Sequence, residues 1–261
     1  VKFFVNFKKY FPHPEITHLK RNYRSAPNIV KMSNQLISHN KNQIEKEVHS
    51  EANLKQKRFH LFMFSKGLAT RDTIPPPLVF KLIKGLMENG AHPGEIMVIS
   101  RFNHNLKDIE VYCGANDIPV EEQGPNGLIS GVRFYSAHKS KGSESKYVIL
   151  TDLTSGTYGF PCEIQDSSVF EVVRRLESKS FVDEERRLFY VALTRSKQYL
   201  FLLSIQHNES MFLEEIQDFT LRSPMNSENS WEKIIDYYIP ILMNGQNPDA
   251  KEHIFCEKCG N

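Results

Sequence analysis

The chain has 261 residues, 40% of them hydrophobic and 25% charged, with a formal net charge of +2. That is the composition of an ordinary soluble globular protein long enough for a sizeable core. The balance is too even for a surface that binds nucleic acid by bulk charge, so any such contact must be local. The four cysteines, Cys113, Cys162, Cys256 and Cys259, are too sparse for a disulfide scaffold and point to a reducing compartment.

In chain order, Ile16-Thr17-His18-Leu19 reads as a first strand. Ser25 can cap a helix with Pro27 in its first turn and Ile29, Val30, Leu36 and Ile37 on one face. Asn40 to Arg58 is polar and open to several readings. Phe59 to Phe64 alternates as a strand, and Pro75-Pro76-Pro77 precedes a helix carrying Leu78, Leu82, Ile83 and Leu86 that Asn89-Gly90 closes. Ile96 to Ser100 is a buried strand, Leu106 to Tyr112 a helix, and Gly131 to Ser136 another strand. The continuous apolar run Tyr147 to Asp152 suits a central parallel strand. Asp183 precedes an amphipathic helix through Thr194, Tyr199 to Ser204 is a last strand, and helices follow around Phe212–Phe219 and Trp231–Met243. Strands alternating with helices make this an α/β chain. The apolar runs Ile96–Ile99 and Tyr147–Leu150 are too short to span a bilayer, and the start carries no signal peptide. A cytoplasmic protein without a membrane partner is expected. Both ends, Val1 and the final Lys258-Cys259-Gly260-Asn261, read like cuts in a longer polypeptide.

Three clusters can carry chemistry. In Leu19 to Pro27, Tyr23 and Arg24 sit at a turn before a helix, expected at the carboxyl end of a strand, where open α/β sheets bind ligands. A tyrosine face stacks on a base and a guanidinium holds a phosphate; a solvated strand-to-helix turn fits the same residues. In Phe134 to Glu144, Ser136, His138, Lys139 and Gly142 are small or basic residues suited to a phosphate chain, and Glu144 can accept from a ribose hydroxyl. The segment lacks the spacing of a phosphate-binding P-loop, and a solvated loop fits it too. In Glu184 to Arg195, two acids and a final arginine suit the dipole of a helix that ends at Arg195, leaving that arginine free to project.

Together the segments NYRSAPNIV, HKSKGSESKYVIL and EERRLFYVALTRS resemble, in order and spacing, motifs IV, V and VI of the UvrD/Rep/PcrA-type superfamily 1 DNA helicases. Ile96 to Asn103 resembles a further strand of that family. Gly159-Phe160-Pro161-Cys162-Glu163 resembles a stretch of its helicase IV-like branch. The resemblance runs from about Phe7 to Phe219. It implies a RecA-like, P-loop NTPase-type domain, a mostly parallel sheet flanked by helices, acting as a second motor domain without its own P-loop.

By that resemblance Tyr23 stacks on adenine, Arg24 and Arg195 reach the γ-phosphate as arginine fingers, and Gly142 and Glu144 serve the nucleotide, Glu144 at the ribose. Ser136, His138 and Lys139 lie near DNA phosphates or couple DNA to nucleotide. ATP with Mg is the implied cofactor, its metal held by a missing N-terminal motor domain of the same polypeptide; single-stranded DNA is the implied partner and 3′→5′ the implied direction, in repair or recombination. Ser143 departs from the leucine usual at its position. The segment 120–131 is too short for the accessory domain that UvrD and Rep insert there. The expected organisation is a motor domain over 1–220, a helical extension and linker over 221–252, and the truncated start of a zinc ribbon over 253–261, with Cys256 and Cys259 as a half site for Zn. The competing expectation is a non-catalytic module that binds single-stranded DNA or a protein.

Overall fold

A computed structural model describes residues 6–11, 13–41, 43–44, 46–52, 59–67, 73–121, 130–163, 168–225 and 228–243, with the side chains of 168–180 among those left aside. The elements in order are α1 (Phe7–Tyr10), β1 (Arg21–Asn22), α2 (Pro27–Ser38), β2 (His49–Ser50), β3 (Phe59–Phe64), α3 (Pro76–Glu88), β4 (Ile96–Ser100) and α4 (Asn103–Ala115). Then come β5 (Arg133–Ser136), β6 (Ser145–Leu150), α5 (Ser168–Leu193), β7 (Ser196–Ile205), α6 (Met211–Glu215), β8 (Thr220–Met225) and α7 (Glu228–Met243).

Six strands form one parallel sheet in the order β5-β4-β6-β7-β3-β8, and β1 pairs with β2 beside it. The period-two alternation of each strand feeds two cores. Phe62, Phe64, Ile96, Val98, Tyr147, Ile149, Phe201 and Leu203 face α3, α4 and α7; Phe59, Leu61, Met97, Ile99, Val148, Leu150, Leu200 and Leu202 face α2, α5 and α6. Every residue of β4 is buried, which explains its unbroken apolar sequence: a strand covered on both faces has no solvent side to make polar. Each such aliphatic side chain contributes about 1.5–3 kcal/mol by leaving water. This is the mostly parallel sheet flanked by helices that the resemblance implies.

Several expectations need correction. Ile16–Leu19 is no strand: Ile16 and Leu19 are exposed, with no sheet neighbour to bury them, and pairing begins only at Arg21. Helix α2 is entered from Ala26 with no side-chain cap, and Ser25 is buried with no partner for its hydroxyl among the described residues. Asp183 does not start a helix but lies inside one that begins at Ser168. Strand β7 is not the last: Thr220–Met225 follows as an edge strand beside β3, carrying the Pro224 that an edge tolerates and a central strand does not. The expected boundary after residue 220 therefore falls inside a strand of the sheet, and Trp231, Ile235, Ile239 and Leu242 of α7 pack into the same core as α3. No described helix is long and apolar enough to cross a membrane.

Candidate functional site

Strands β6 and β7 lie side by side, so the residues that lead into them meet at the amino edge of the sheet. Ser145 N donates to Arg195 O at 3.0 Å. Ala26 N donates to Lys197 O at 2.8 Å, which pins the entry of α2 to the same place. Asn22 Oδ1 accepts from the backbone N–H groups of Arg24 and Ser25, both at 2.9 Å, and so fixes the turn that presents Arg24. Arg24 Nε then reaches Glu144 Oε2, while Lys197 Nζ holds Glu144 Oε1 at 2.6 Å. Tyr23, next to this cluster, is 70% exposed.

Arg195 is half-buried. Its Nε donates to Val191 O at 2.8 Å, Nη1 to Ser143 O at 2.9 Å and Nη2 to Thr194 Oγ1 at 3.3 Å. It is thus docked on carbonyls and does not project freely as expected from the helix end: those at the end of α5 and in the turn before β6 have no helical donors and draw the guanidinium inward. Burial, then the positive charge of Arg24, lowers the pKa of its guanidinium. The hydrogen bond from Lys197, with that from Arg24, holds the Glu144 carboxyl below the ordinary carboxylate value. Arg133 Nη2 supports the same turn from beneath, donating to Glu144 O at 3.0 Å. Gly142 takes a φ of +86° with open space where a Cβ would stand, so glycine is needed there for conformation and not for room. One carboxylate among Arg24, Lys197 and Arg195 leaves the notch positive. Its place corrects the expectation of a carboxyl-end site, because Arg24 follows β1 of the small side sheet and packs against the amino ends of β6 and β7.

Ser136, His138 and Lys139 lie at the opposite, carboxyl edge. Ser136 pairs with Ser100, and Ala137 N donates to Ser100 O at 2.8 Å. Ser136 is buried, accepting from Lys139 N at 3.3 Å and donating its own N–H to Asn103 Oδ1 at 3.2 Å. His138 and Lys139 are exposed, with Lys139 Nζ 4.2 Å over the Tyr135 ring. Burial, then Arg101 and Lys141, lowers the His138 pKa. The segment 137–144 therefore runs from one sheet edge to the other, with the basic pair at one end and Glu144 at the other. The structure brings Arg24, Glu144 and Arg195 together, and separates them from Ser136, His138 and Lys139.

Sequence reasoning missed Lys197, although its place two residues past Arg195 on the strand start is a usable signal. It also misjudged the acids of α5. Glu185 is buried mid-helix and takes both Arg101 Nε (2.9 Å) and Nη2 (2.8 Å), besides Cys162 N at 3.0 Å. Arg186 pairs with Glu215 at 2.7 and 2.8 Å. These are packing devices between elements, and nothing in a local pattern names their distant partners. Cys256 and Cys259 lie outside the described residues. Among the described residues no group of His, Cys, Asp or Glu forms a metal site, and Cys113 and Cys162 are buried.

The family model of the UvrD-like helicase C-terminal domain matches residues 17–128 and 120–207. DNA helicase IV of Escherichia coli K12 is 28% identical over 214 residues, covering 81% of this chain and 28% of the relative. An ATP-dependent helicase/nuclease chain of Staphylococcus saprophyticus is 29% identical over 161 residues, covering 52% of this chain and 13% of the relative. The C-terminal domain of a possible DNA helicase from Lactobacillus plantarum is a structural neighbour with a TM-score of 0.47 at 15% identity, over 77% of this chain and 98% of that one. The chain thus spans under a third of the curated relatives it matches. By the match of the family model along most of its length, the chain belongs to the UvrD-like helicase C-terminal domain family.

Proposed function

We propose that the chain is the second motor half of an ATP-dependent DNA helicase or translocase, moving 3′→5′ on single-stranded DNA in repair or recombination. The observation that carries this reading is the notch at the amino edge, where Arg24 and Arg195 converge beside Glu144 with Tyr23 exposed next to them. A nucleotide whose phosphates and Mg are held by another motor domain presents its γ-phosphate to this positive notch. Tyr23 then stacks on the adenine. Glu144 exchanges a cation partner for the ribose hydroxyl, which releases Arg24 toward the phosphate. Arg195 needs less freedom than a projecting finger, because its docking on Ser143 O and Val191 O orients it before charge develops. His138 and Lys139 supply backbone contacts to DNA from the far edge, Ser136 shapes their turn, and the segment 137–144 joins the two sites. The names of the relatives, a DNA helicase IV and an ATP-dependent helicase/nuclease, support the reaction class.

The test is ATP turnover stimulated by single-stranded DNA, measured on this chain alone and joined to a motor domain that carries a P-loop. The chain alone is expected to be inactive and the joined protein active. Hydrolysis by the chain alone would contradict the half-motor reading, and none by the joined protein while it still binds DNA would favour a non-catalytic binding module.

A further inference from the structure

The Glu144 carboxylate is held on both oxygens. Lys197 Nζ takes Oε1 at 2.6 Å and Arg24 Nε takes Oε2, so the two cations do not compete for one atom. They stand on different supports. Lys197 is the second residue of β7, next to Ser196, which pairs with Ser145 of β6, and its carbonyl accepts from Ala26 N at 2.8 Å. Arg24 extends from the turn before α2 that Asn22 Oδ1 fixes through the backbone. The backbone of Glu144 is anchored as well, since its carbonyl accepts from Arg133 Nη2 at 3.0 Å and Arg133 is only 5% exposed. Arg24 also lies near enough to Arg195 for its charge to lower the pKa of that guanidinium, so the two arginines border one space. Of the two cations on Glu144, Arg24 is thus the one on a turn beside that space, and Lys197 is the one rooted in the sheet.

We propose that Lys197 is a positioning residue for the nucleotide: it keeps Glu144 paired while Arg24 moves from that carboxylate to the γ-phosphate. This rests on the nucleotide reading above and adds to it a residue that acts through Glu144 instead of on the phosphate. With Lys197 in place, the departure of Arg24 leaves Glu144 with a counter-ion. Without it, departure leaves a bare carboxylate beside a phosphate chain of the same sign, and like charges at close range repel. Arg24 then stays on Glu144 and the cleavage step loses it. The bond from Lys197 is also the largest cause of the low Glu144 pKa, so the group remains an ionised acceptor for a hydroxyl.

Single-turnover cleavage at saturating ATP, by the chain joined to a P-loop motor domain, tests the assignment. Lys197→Met lowers the rate about tenfold, within the range of coupling inside one ion-pair network. Lys197→Arg, which keeps a cation at the place, retains most of the wild-type rate. The Lys197 and Glu144 side chains are 44% and 38% exposed, so Lys197→Met keeps the circular dichroism and unfolding midpoint of the wild type. In a Glu144→Gln background, where no carboxylate holds Arg24, Lys197→Met lowers the rate no further. A structural role for Lys197, or a direct pull on the phosphate, would not depend on the residue at 144. An equal loss in both backgrounds, or a wild-type rate for Lys197→Met with Glu144 present, would overturn the inference and leave the nucleotide reading standing. If the joined wild type cleaves no ATP, the nucleotide reading itself falls.

Discussion

Two buried ionisable side chains, Asp152 and His60, make opposing contributions to stability as pH changes. Asp152, two residues past the end of β6, has a φ of 56° and accepts from Ile74 N at 2.8 Å and Ser100 Oγ at 3.0 Å; burial pushes its pKa from 3.8 up to about 6. A raised acid contributes stability that is present below 3.8 and lost as pH rises through about 6. Burial lowers His60, beside Tyr238, from 6.5 to about 4, so its contribution is present above 6.5 and is lost as pH falls through about 4. Over pH 4 to 6 the contributions of these two groups run in opposite directions. Urea unfolding across this range should show wild type losing stability relative to Asp152→Asn as pH rises. It should lose stability relative to His60→Phe as pH falls. A difference independent of pH in either comparison would contradict the assignment. Glu144 is another matter, because its ion pairs with Arg24 and Lys197 are well exposed. Glu144→Gln should change unfolding free energy by no more than about 1 kcal/mol. A larger loss would make the cluster a structural brace instead of a ligand notch.

For single elements, the sequence was most legible where one element is buried on both faces or capped by a strong local signal. The apolar run of β4 and the prolines that open α3 are such cases. It misled where burial depends on remote contacts. Ile16 and Leu19 alternate like a strand but find no sheet, while Thr220–Met225, expected at the start of a helical extension, completes an edge. The acids of α5 suit a first helical turn, but Glu185 serves to fasten α5 to the end of β4 through Arg101. Glu185→Ala leaves the Arg101 guanidinium, only 11% exposed, without its counter-ion. It should cost about 3–5 kcal/mol in denaturant unfolding. The double replacement Arg101→Met with Glu185→Leu should recover much of that loss. A single variant as stable as wild type would show the pair to be dispensable. Of the candidate site, residue types and order were legible; that Arg24 and Arg195 meet at the amino edge was not, because β1 lies outside the main sheet. Gly131 shows the same limit: a Cβ there would stand 2.1 Å from Val120 O, a contact no local pattern reports.

Across the molecule, one sheet separates two edges of different chemistry. The amino edge gathers Arg24, Glu144, Arg195 and Lys197; the carboxyl edge carries Ser136, His138 and Lys139. The region after residue 220 belongs to the same body, since β8 pairs with β3 and α7 covers α3. A chain ending at residue 219 should lose single-step cooperative unfolding and expose the face of α3 around Gly85, which Ile235 and Ile239 cover. Unchanged cooperativity would restore the boundary expected from sequence. The most direct test of nucleotide recognition by the amino-edge notch is single-turnover ATP cleavage by the joined two-domain motor carrying Arg24→Ala or Arg195→Ala. Each should lower the cleavage rate by roughly 10³-fold or more while ATP still binds. A wild-type rate with either variant would contradict it.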